Sequence, residues 1–352
     1  MGATVSRVYG SAPRTYLGSL GLQIAPVERT TQTSTSEEPD IQAVLNLLPE
    51  PADEAWRLGG PGRPWFVRYG TRKAVIRWNT LAMLERLRFP RDTAIASTAW
   101  LHAYLRDLSA VGFVVPAPLN DLDGESYRVI GGSLWELLTF IPGRPMGWPD
   151  ERGLWDAGRL LAQYHDACVL ARPRAQRPGA LPMTESFPSD PDARRVQAQL
   201  RHELAEIGHE SAPRGVIHGD ATNINVVIDE STLHLVDFAI AYEEALAADV
   251  ACALWRNGRA TADAVVYEPT RLARFVQGYA SVRRVGRSAG RTTVVYLKGR
   301  GLQLQRRLEL RGRRDETVMQ RLLSIVARQD ELSEAIDRAL EQVGEVPERH
   351  NA

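Results

Sequence analysis

The sequence predicts an α+β protein of two lobes, in which a small antiparallel β-sheet precedes a mostly helical region. Short apolar runs separated by glycine-rich turns fill residues 54–78, as in an antiparallel meander. Helical periodicity dominates after residue 150, and Pro142-Gly143 interrupts the chain between the two patterns. We therefore expect a disordered tail at 1–38, a β-rich N-lobe at 39–141 and a helical C-lobe at 142–352.

The individual elements follow from the same signals. A tail ending in a Thr/Ser/Glu-rich tract precedes a short amphipathic helix at 40–49. Strands and helices then alternate with glycine and proline breaks, and two short strands follow Gly219. The predicted strands are Glu54–Leu58, Trp65–Tyr69, Lys73–Trp78, Tyr127–Ile130, Leu134–Ile141, Ile224–Ile228 and Leu233–Phe238, and the predicted helices are 92–111, 154–170, 192–208 and, last, 316–343.

Composition excludes several classes of function. Lysine plus arginine number 43 and the acids also number 43, so no global charge favours nucleic acid or an anionic membrane. The two cysteines, Cys168 and Cys252, lie in apolar helical contexts and do not suggest disulfides. No apolar run approaches the length of a membrane span. We expect a cytoplasmic protein, monomeric or homodimeric, that binds neither nucleic acid nor membrane.

The densest chemical signal is His218-Gly219-Asp220, followed by Asn225 and then, after an apolar strand, Asp237-Phe238. Phosphoryl transfer needs a carboxylate to deprotonate the attacking hydroxyl and oxygen ligands for Mg²⁺. Asp220 fits the first requirement, and Asn225 and Asp237 fit the second. The alternative is a surface hairpin whose Asn and Asp residues are only turn formers.

The spacing also predicts how the two metal ligands meet. If Glu230-Ser231-Thr232 is a three-residue loop, Asp229 faces Leu233 and, counting back, Asn225 faces Asp237. Directly opposed side chains lie on one face of a sheet, so both could reach one metal ion.

The segment His218–Asn225 resembles the catalytic loop of the aminoglycoside phosphotransferase and choline kinase-like superfamily. Val236-Asp237-Phe238 is similar to that family's metal-binding segment, and Leu161–His165 and Phe140–Pro145 are similar to two of its other motifs. The resemblance covers residues 50 to 310. It implies a protein-kinase-like two-lobe fold and ATP-dependent phosphorylation of a small-molecule hydroxyl, with ATP and Mg²⁺ as cofactors.

The resemblance also implies nucleotide-binding residues. Arg77 takes the place of the β3 lysine that grips the ATP phosphates, and Lys73, four residues earlier on the same strand face, is the alternative. A backbone donor loop at Gly59, Gly60 and Gly62 is expected over the phosphates, with a plain hairpin turn as the alternative. Phe140 is the remaining candidate for nucleotide binding.

The acidic partner of the β3 cation is unassigned. The family carries a glutamate on the following helix, but the acids at 92–111 are Asp92 and Asp107, both poorly placed, and Glu85 lies before that helix. His218 is counted with the catalytic residues, and we expect it to shape the loop rather than to move protons. His165 is interpreted as a packed core residue, and Asp249 as a helix cap that holds the catalytic loop.

The acceptor is not identified by sequence. Residues 281–314 hold eleven basic side chains against one acid, Glu309. We interpret them as the solvated face of a helix that packs through Val294, Leu297, Leu304 and Leu308. If they line the acceptor site instead, they suit an anionic or neutral acceptor, although acids in the last helix would reverse that view. An active kinase is the first hypothesis. A catalytically impaired kinase fold that binds nucleotide or a partner is the alternative, motivated by Arg77 and the missing glutamate.

Overall fold

The computed structural model describes residues 40–58, 64–81, 84, 90–171, 176–180, 183, 189–286, 288–313 and 315–342. The predicted tail at 1–38 lies outside them. The chain divides into two compact units, of which the first comprises residues 1–98 and 116–140 and the second comprises 99–115 and 141–352.

The first unit contains the antiparallel sheet that the sequence predicts. Its strands have the order β1-β2-β3-β5-β4, and every neighbouring pair is antiparallel. A short helix, α1, precedes the sheet and is capped by Asp40, which accepts a hydrogen bond from the Gln42 amide. The elements are α1 (Ile41–Leu45), β1 (Ala52–Arg57), β2 (Trp65–Tyr69), β3 (Arg72–Thr80), β4 (Tyr127–Ile130) and β5 (Ser133–Thr139).

The core of this unit lies on one face of the sheet. Ala74 and Ile76 of β3 are fully buried, and they pack with Val67, Leu137 and Val44 of α1. Side chains alternate between the faces of a strand, so Lys73, Arg77 and the residue between them lie on the opposite face.

The second unit is mostly helical, with two small sheets. One sheet pairs β7 with β10, and the other has the order β6-β8-β9. The helix α2 (Arg91–Ala110) passes from the first unit into this one at residue 99. The other elements are β6 (Arg144–Pro145), α3 (Glu151–Ala171), α4 (Pro191–Glu206), β7 (Arg214–Ile217), β8 (Val226–Asp229), β9 (Thr232–Leu235), β10 (Tyr242–Ala245), α5 (Leu246–Asn257), α6 (Pro269–Ala280), α7 (Ala289–Leu310), α8 (Glu316–Ala327) and α9 (Gln329–Glu341).

Helices α3 and α6 approach each other closely through a glycine. A Cβ atom added at Gly278 would lie 2.0 Å from the carbonyl oxygen of Trp155, so any larger residue would separate the helices. This approach lets Tyr279 of α6 hydrogen-bond His165 of α3, at 2.7 Å from oxygen to Nδ1.

One prediction about the elements is wrong. The last helix is not continuous, because Arg328 leaves the helical conformation (φ −120°, ψ 18°) and separates α8 from α9. The guanidinium of Arg328 binds the Tyr267 carbonyl and Glu331 at this break. The strand β10 was not predicted, because two of its four residues, Glu243 and Glu244, are acids and give it no apolar strand pattern. Within the described ranges, no helix is long and apolar enough to cross a membrane.

Candidate active site

The loop between β7 and β8 carries Asp220, the predicted base, in the second unit. Asp220 is half-buried, and its side chain is bound by Asn225. The Asn225 Nδ2 atom donates to the Asp220 carbonyl at 2.9 Å and to its Oδ2 at 3.1 Å. These bonds fix the amide so that its oxygen, Oδ1, is the atom left to bind a cation. The structure therefore brings the predicted base and one predicted metal ligand together.

The backbone of this loop requires a glycine before Asp220. Gly219 has φ +75°, in the left-handed region, and an added Cβ would lie 3.0 Å from the Ile240 carbonyl oxygen. This turn directs Asp220 away from β7 and aims the Gly219 amide at the carboxylate of Asp249.

Asp249 holds the loop from the first turn of α5. Its two oxygens accept hydrogen bonds from the backbone amides of His218, at 2.7 Å, and Gly219, at 2.9 Å. The prediction that Asp249 holds the catalytic loop is confirmed, but it is not the helix cap, because Ala245 occupies that position. Both oxygens of the carboxylate thus hold the backbone of the loop that carries Asp220.

His165 packs in the core, as predicted, and completes this anchor. Burial lowers the pKa of His165, so the ring is neutral, donates to Asp249 through Nε2 at 3.2 Å, and accepts from Tyr279 at Nδ1. Burial raises the pKa of Asp249, but the hydrogen bonds from His165 and from the His218 amide outweigh it and leave the pKa below its ordinary value. The pair is thus an ionised carboxylate beside a neutral imidazole.

His218 is fully buried, and both of its ring nitrogens are occupied. Its Nε2 lies 3.0 Å from the Val236 carbonyl, to which it donates, and its Nδ1 lies 3.3 Å from the Asp220 amide, from which it accepts. The ring therefore links the loop to the strand segment before Asp237.

The predicted register of the β8–β9 hairpin is wrong. Asp229 pairs with Thr232, so the loop has two residues, and Glu230 adopts φ +52° in it. Tight two-residue turns with positive φ match the twist of the strands and are favoured over longer loops. The Val236 amide consequently donates to the Asn225 carbonyl at 2.9 Å, which moves Asp237 one position beyond the predicted partner.

Asp237 lies just past the end of β9, in the left-handed conformation with φ +61°. It is exposed, and its Oδ1 accepts a weak hydrogen bond from the Ala239 amide at 3.4 Å. Asn225 also lies outside the strands, in a short 3-10 turn just before β8. Both candidates are therefore at the same end of the hairpin, but neither belongs to its ladder. Among the described residues, no three His, Cys, Asp or Glu side chains cluster as a metal site.

Arg300 of α7 lies beside Asp220, whereas the sequence interpretation placed it on a solvated helix face and kept an acceptor site as the alternative. It is 4% exposed, and its Nη2 lies 3.4 Å from Oδ1 of Asp220. The interpretation of this segment as a solvated helix face is wrong for Arg300 and for Lys298, which is buried in an ion pair with Glu203. The sequence Gly299-Arg300-Gly301-Leu302 could have indicated that Arg300 is buried, because small and apolar residues surround it, and all four residues are buried in the structure.

The predicted nucleotide-binding residues that the structure describes lie in the first unit. Arg77 and Glu136 are directly opposed on β3 and β5, and Nη2 of Arg77 lies 2.9 Å from Oε2 of Glu136. Lys73 is exposed on the same face as Arg77, and its carbonyl accepts a hydrogen bond from the Phe140 amide. Phe140 packs edge-on against Phe66. Gly59, Gly60, Gly62 and Glu85 lie outside the described residues.

An acidic partner of Arg77 within the described residues, Glu136, lies on a strand and not on a helix. Glu136 is 4% exposed and is the one acid in the apolar segment 134–141. A single acid in such a strand signals a buried cationic partner, because an unpaired charge is costly there.

Sequence comparison relates this chain to kinases. Several homoserine kinases are similar in sequence: the one from Gluconobacter oxydans (strain 621H) is 28% identical over 207 residues, covering 55% of this chain and 65% of that protein. The one from Rhizobium etli (strain CIAT 652) is 31% identical over 191 residues, covering 51% of this chain and 58% of that protein. The chain thus matches less than two thirds of the length of these relatives.

Solved structures share the fold at low identity. A microcompartment-associated aminopropanol kinase superposes with a TM-score of 0.59 at 16% identity, covering 86% of this chain and 98% of that one. A choline kinase from Streptococcus pneumoniae superposes with a TM-score of 0.55 at 12% identity, covering 83% and 97%. These neighbours confirm the predicted protein-kinase-like fold.

A family profile gives the assignment. The profile of the phosphotransferase enzyme family APH matches residues 52–287, which include the sheet of the first unit and the His218–Asn225 loop. This chain belongs to the APH phosphotransferase enzyme family.

Proposed function

We propose that the protein transfers the γ-phosphoryl group of ATP to a hydroxyl of a small molecule, with Asp220 as the general base. The observation that supports this most directly is the fixed geometry of Asp220, which Asn225 binds at the side chain and Asp249 holds through the backbone of His218 and Gly219. A rigidly placed carboxylate is what this reaction needs from the protein.

In the proposed step, the oxygen of the acceptor hydroxyl forms a bond to the γ-phosphorus while an Asp220 oxygen accepts the hydroxyl proton. The bond between the γ-phosphorus and the bridging oxygen breaks, and ADP leaves with the electron pair. His218 holds the loop, since both of its nitrogens are engaged in structural hydrogen bonds.

Magnesium fits the residues at the end of the hairpin. Asn225 and Asp237 offer an amide oxygen and a carboxylate, the hard oxygen donors that Mg²⁺ prefers. The orientation of the Asn225 amide, with Nδ2 turned to Asp220, supports Oδ1 as a ligand. When bound, the ion would neutralise phosphate charge. A structural neighbour, an amicoumacin kinase, was solved with AMP-PNP and Ca²⁺, which supports the use of ATP and a divalent cation here.

The remaining assignments concern the nucleotide and the boundaries. We propose that Arg77 binds ATP phosphates, with Lys73 as the alternative, and that Phe140 and the glycines at 59, 60 and 62 contribute to nucleotide binding. We also propose the division at residues 141–142 between a nucleotide-binding lobe and a catalytic lobe, and a cytoplasmic location.

The acceptor class follows from the named relatives. Homoserine, aminopropanol and choline, which give the similar kinases their names, are small molecules with a hydroxyl and an amino or quaternary ammonium group, and homoserine also has a carboxylate. We propose an acceptor of this size with an alcohol group.

One experiment tests the function against its alternative. Purified protein is assayed for ADP release with Mg²⁺ and ATP against a panel of hydroxyl metabolites, and in parallel for binding of AMP-PNP. Acceptor-dependent turnover is the expected result. Nucleotide binding without turnover on any acceptor would instead favour the catalytically impaired kinase fold, the second candidate, which the replacement of the β3 lysine by Arg77 motivates.

A further inference from the structure

Arg300 lies beside the proposed base without a full set of partners. Its Nη1 donates to Gln303 at 2.6 Å, and its Nη2 reaches Asp220 only at 3.4 Å. Charge-assisted hydrogen bonds between arginine and a carboxylate are typically about 2.7–2.9 Å long, so the contact with Asp220 is weak. The Nε atom is buried and has no hydrogen-bond partner within the described residues. A guanidinium that is 4% exposed thus has unused donors.

A second arginine lies on the same face of α7. Arg307 follows Arg300 by seven residues, which is close to two helical turns, so both side chains leave the helix on one side. Arg307 forms no ion pair or hydrogen bond with the part of the chain that the structure describes. Burial and, after it, the positive charge of Arg300 lower the pKa of Arg307 to about 10, while Asp220 has the opposite effect. Burial also acts to lower the pKa of Arg300, but its neighbours, Cys252 and Asp220 foremost, raise it above its ordinary value.

Of the two acids near the arginines, one contacts Arg300 only at 3.4 Å and the other is hydrogen-bonded elsewhere. Asp220 contributes one negative charge to the pair. Asp249 also acts on Arg300, but its oxygens are taken by the amides of His218 and Gly219 and by His165. Among the described residues, therefore, neither arginine has a carboxylate partner at ordinary ion-pair hydrogen-bond distance.

Another buried cation of the same helix shows the contrast. Lys298 is 1% exposed, forms an ion pair with Glu203, and donates to Gln329 at 3.0 Å. A cation that serves only the fold is matched in this way, because an unmatched buried charge is costly. Arg300, by contrast, has only the 3.4 Å contact with Asp220, and Arg307 has no ion pair within the described residues.

We propose that Arg300 and Arg307 bind a carboxylate of the phosphoryl acceptor, which makes the acceptor a hydroxy acid or a hydroxyl-bearing amino acid. The planar fork of arginine matches the two oxygens of a carboxylate. The proximity of Arg300 to Asp220 places that carboxylate a short distance from the base, as a small acceptor with both groups requires. This inference rests on the proposed function and narrows its acceptor class.

Matched pairs of acceptors test the inference, since they differ only by the carboxylate. The pairs are L-homoserine with 3-amino-1-propanol, L-serine with ethanolamine, and glycerate with ethylene glycol. Turnover is measured with Mg·ATP, and binding is measured by calorimetry on protein loaded with Mg·AMP-PNP. We expect the carboxylate to improve kcat/KM and affinity in at least one pair by roughly 10-fold or more, the worth of one charge-assisted hydrogen bond.

Variants separate recognition of the acceptor from other roles of the arginines. Arg307→Gln should raise KM for the carboxylate-bearing acceptor by roughly 10- to 100-fold and leave KM for ATP unchanged. Arg300→Lys keeps the charge but loses the fork, so its KM should rise in the same direction. The matched control is Arg306→Gln, on the same helix, whose side chain pairs with Glu309 at 3.5 Å and should leave both constants unchanged.

Each outcome decides a different question. If the carboxylate improves neither turnover nor binding in any pair, or if Arg307→Gln raises KM for ATP instead, the inference is overturned while the proposed function stands. If no acceptor is phosphorylated but hydroxy acids bind in an Arg307-dependent manner, the proposed function fails and the anion site remains.

Discussion

Arg77 and Glu136 face each other across β3 and β5, with 2.9 Å between Nη2 and Oε2. Arg77 thus has an acidic partner on the neighbouring strand of the same sheet. A side chain held by a directly opposed residue is fixed by the sheet register itself. Arg77 combines two properties, a buried structural pair and a proposed phosphate contact, which variants can separate.

Removing the charge of Arg77 should affect both properties. In Arg77→Met the Glu136 carboxylate, which is 4% exposed, loses a partner, and the free energy of unfolding should fall by about 1–3 kcal/mol. KM for ATP should rise roughly 10-fold or more through the lost charge-assisted contact. Urea unfolding and steady-state kinetics measure the two effects.

The double variant Arg77→Met/Glu136→Met is the control for stability. Replacing both members of a buried pair by apolar residues is often close to neutral. The double variant should therefore regain stability without regaining affinity for ATP. Lys73→Met, an exposed change on the same strand face, should leave KM for ATP unaltered; if it alone raises KM, Lys73 is the phosphate ligand and the assignment of Arg77 is wrong.

Asp220→Ala should remove transfer while nucleotide binding is kept. Loss of a general base typically lowers kcat by about 10²–10⁴-fold, and in the proposed mechanism Asp220 acts on the acceptor hydroxyl. Single-turnover kinetics and AMP-PNP calorimetry measure the two properties. A variant that loses nucleotide affinity but retains turnover would contradict the assignment of Asp220 as the base.

Stability should fall below neutral pH through His165. Its pKa is lowered by burial, so between the folded value and the ordinary 6.5 the unfolded chain binds more protons, and unfolding becomes easier as the pH falls. The groups that face it are Asp249, Tyr279, Arg283 and Asp166. We expect the free energy of unfolding from urea titrations to decrease from pH 7 to pH 5. Asp249, with a lowered pKa, adds a further loss only below its ordinary 3.8.

His165→Gln should flatten this dependence. His209, whose pKa is also lowered by burial, contributes in the same direction, so part of the slope should remain until His209→Gln is added. If the slope of unfolding free energy against pH is unchanged in His165→Gln and also in the double variant, neither histidine is buried in its neutral form.

The sequence sufficed for the fold and for the composition of the loop, but not for its surroundings. The sheet, the helices and the grouping of Asp220 with Asn225 follow from local periodicity and from motif spacing. The hairpin register depended on a single turn residue, Glu230, and its positive φ could not be predicted from the side-chain pattern. Arg300 lies eighty residues from Asp220 in the chain, and a pairing at that separation is fixed only by the packing of α7.

The last prediction concerns the metal. Asn225 and Asp237 lie at the same end of the hairpin, and Asp237 is the one that contributes a negative charge. Asp237→Asn should therefore weaken Mg·ATP binding and nearly eliminate turnover, because Mg²⁺ takes few protein ligands and relies on carboxylate charge.

Asn225→Asp should be milder, since it adds a charge while keeping an oxygen ligand, although it removes the Nδ2 donor to Asp220. Its expected defect is in kcat, with affinity for magnesium retained, because the bond that orients the base is lost while the cation gains an oxygen of negative charge. Titration of ADP release with Mg²⁺ separates the two variants: the midpoint should shift to higher concentration for Asp237→Asn and not for Asn225→Asp. Full activity in Asp237→Asn at low Mg²⁺ would show that the cation is held elsewhere, and the left-handed turn at Asp237 would then serve only the hairpin end.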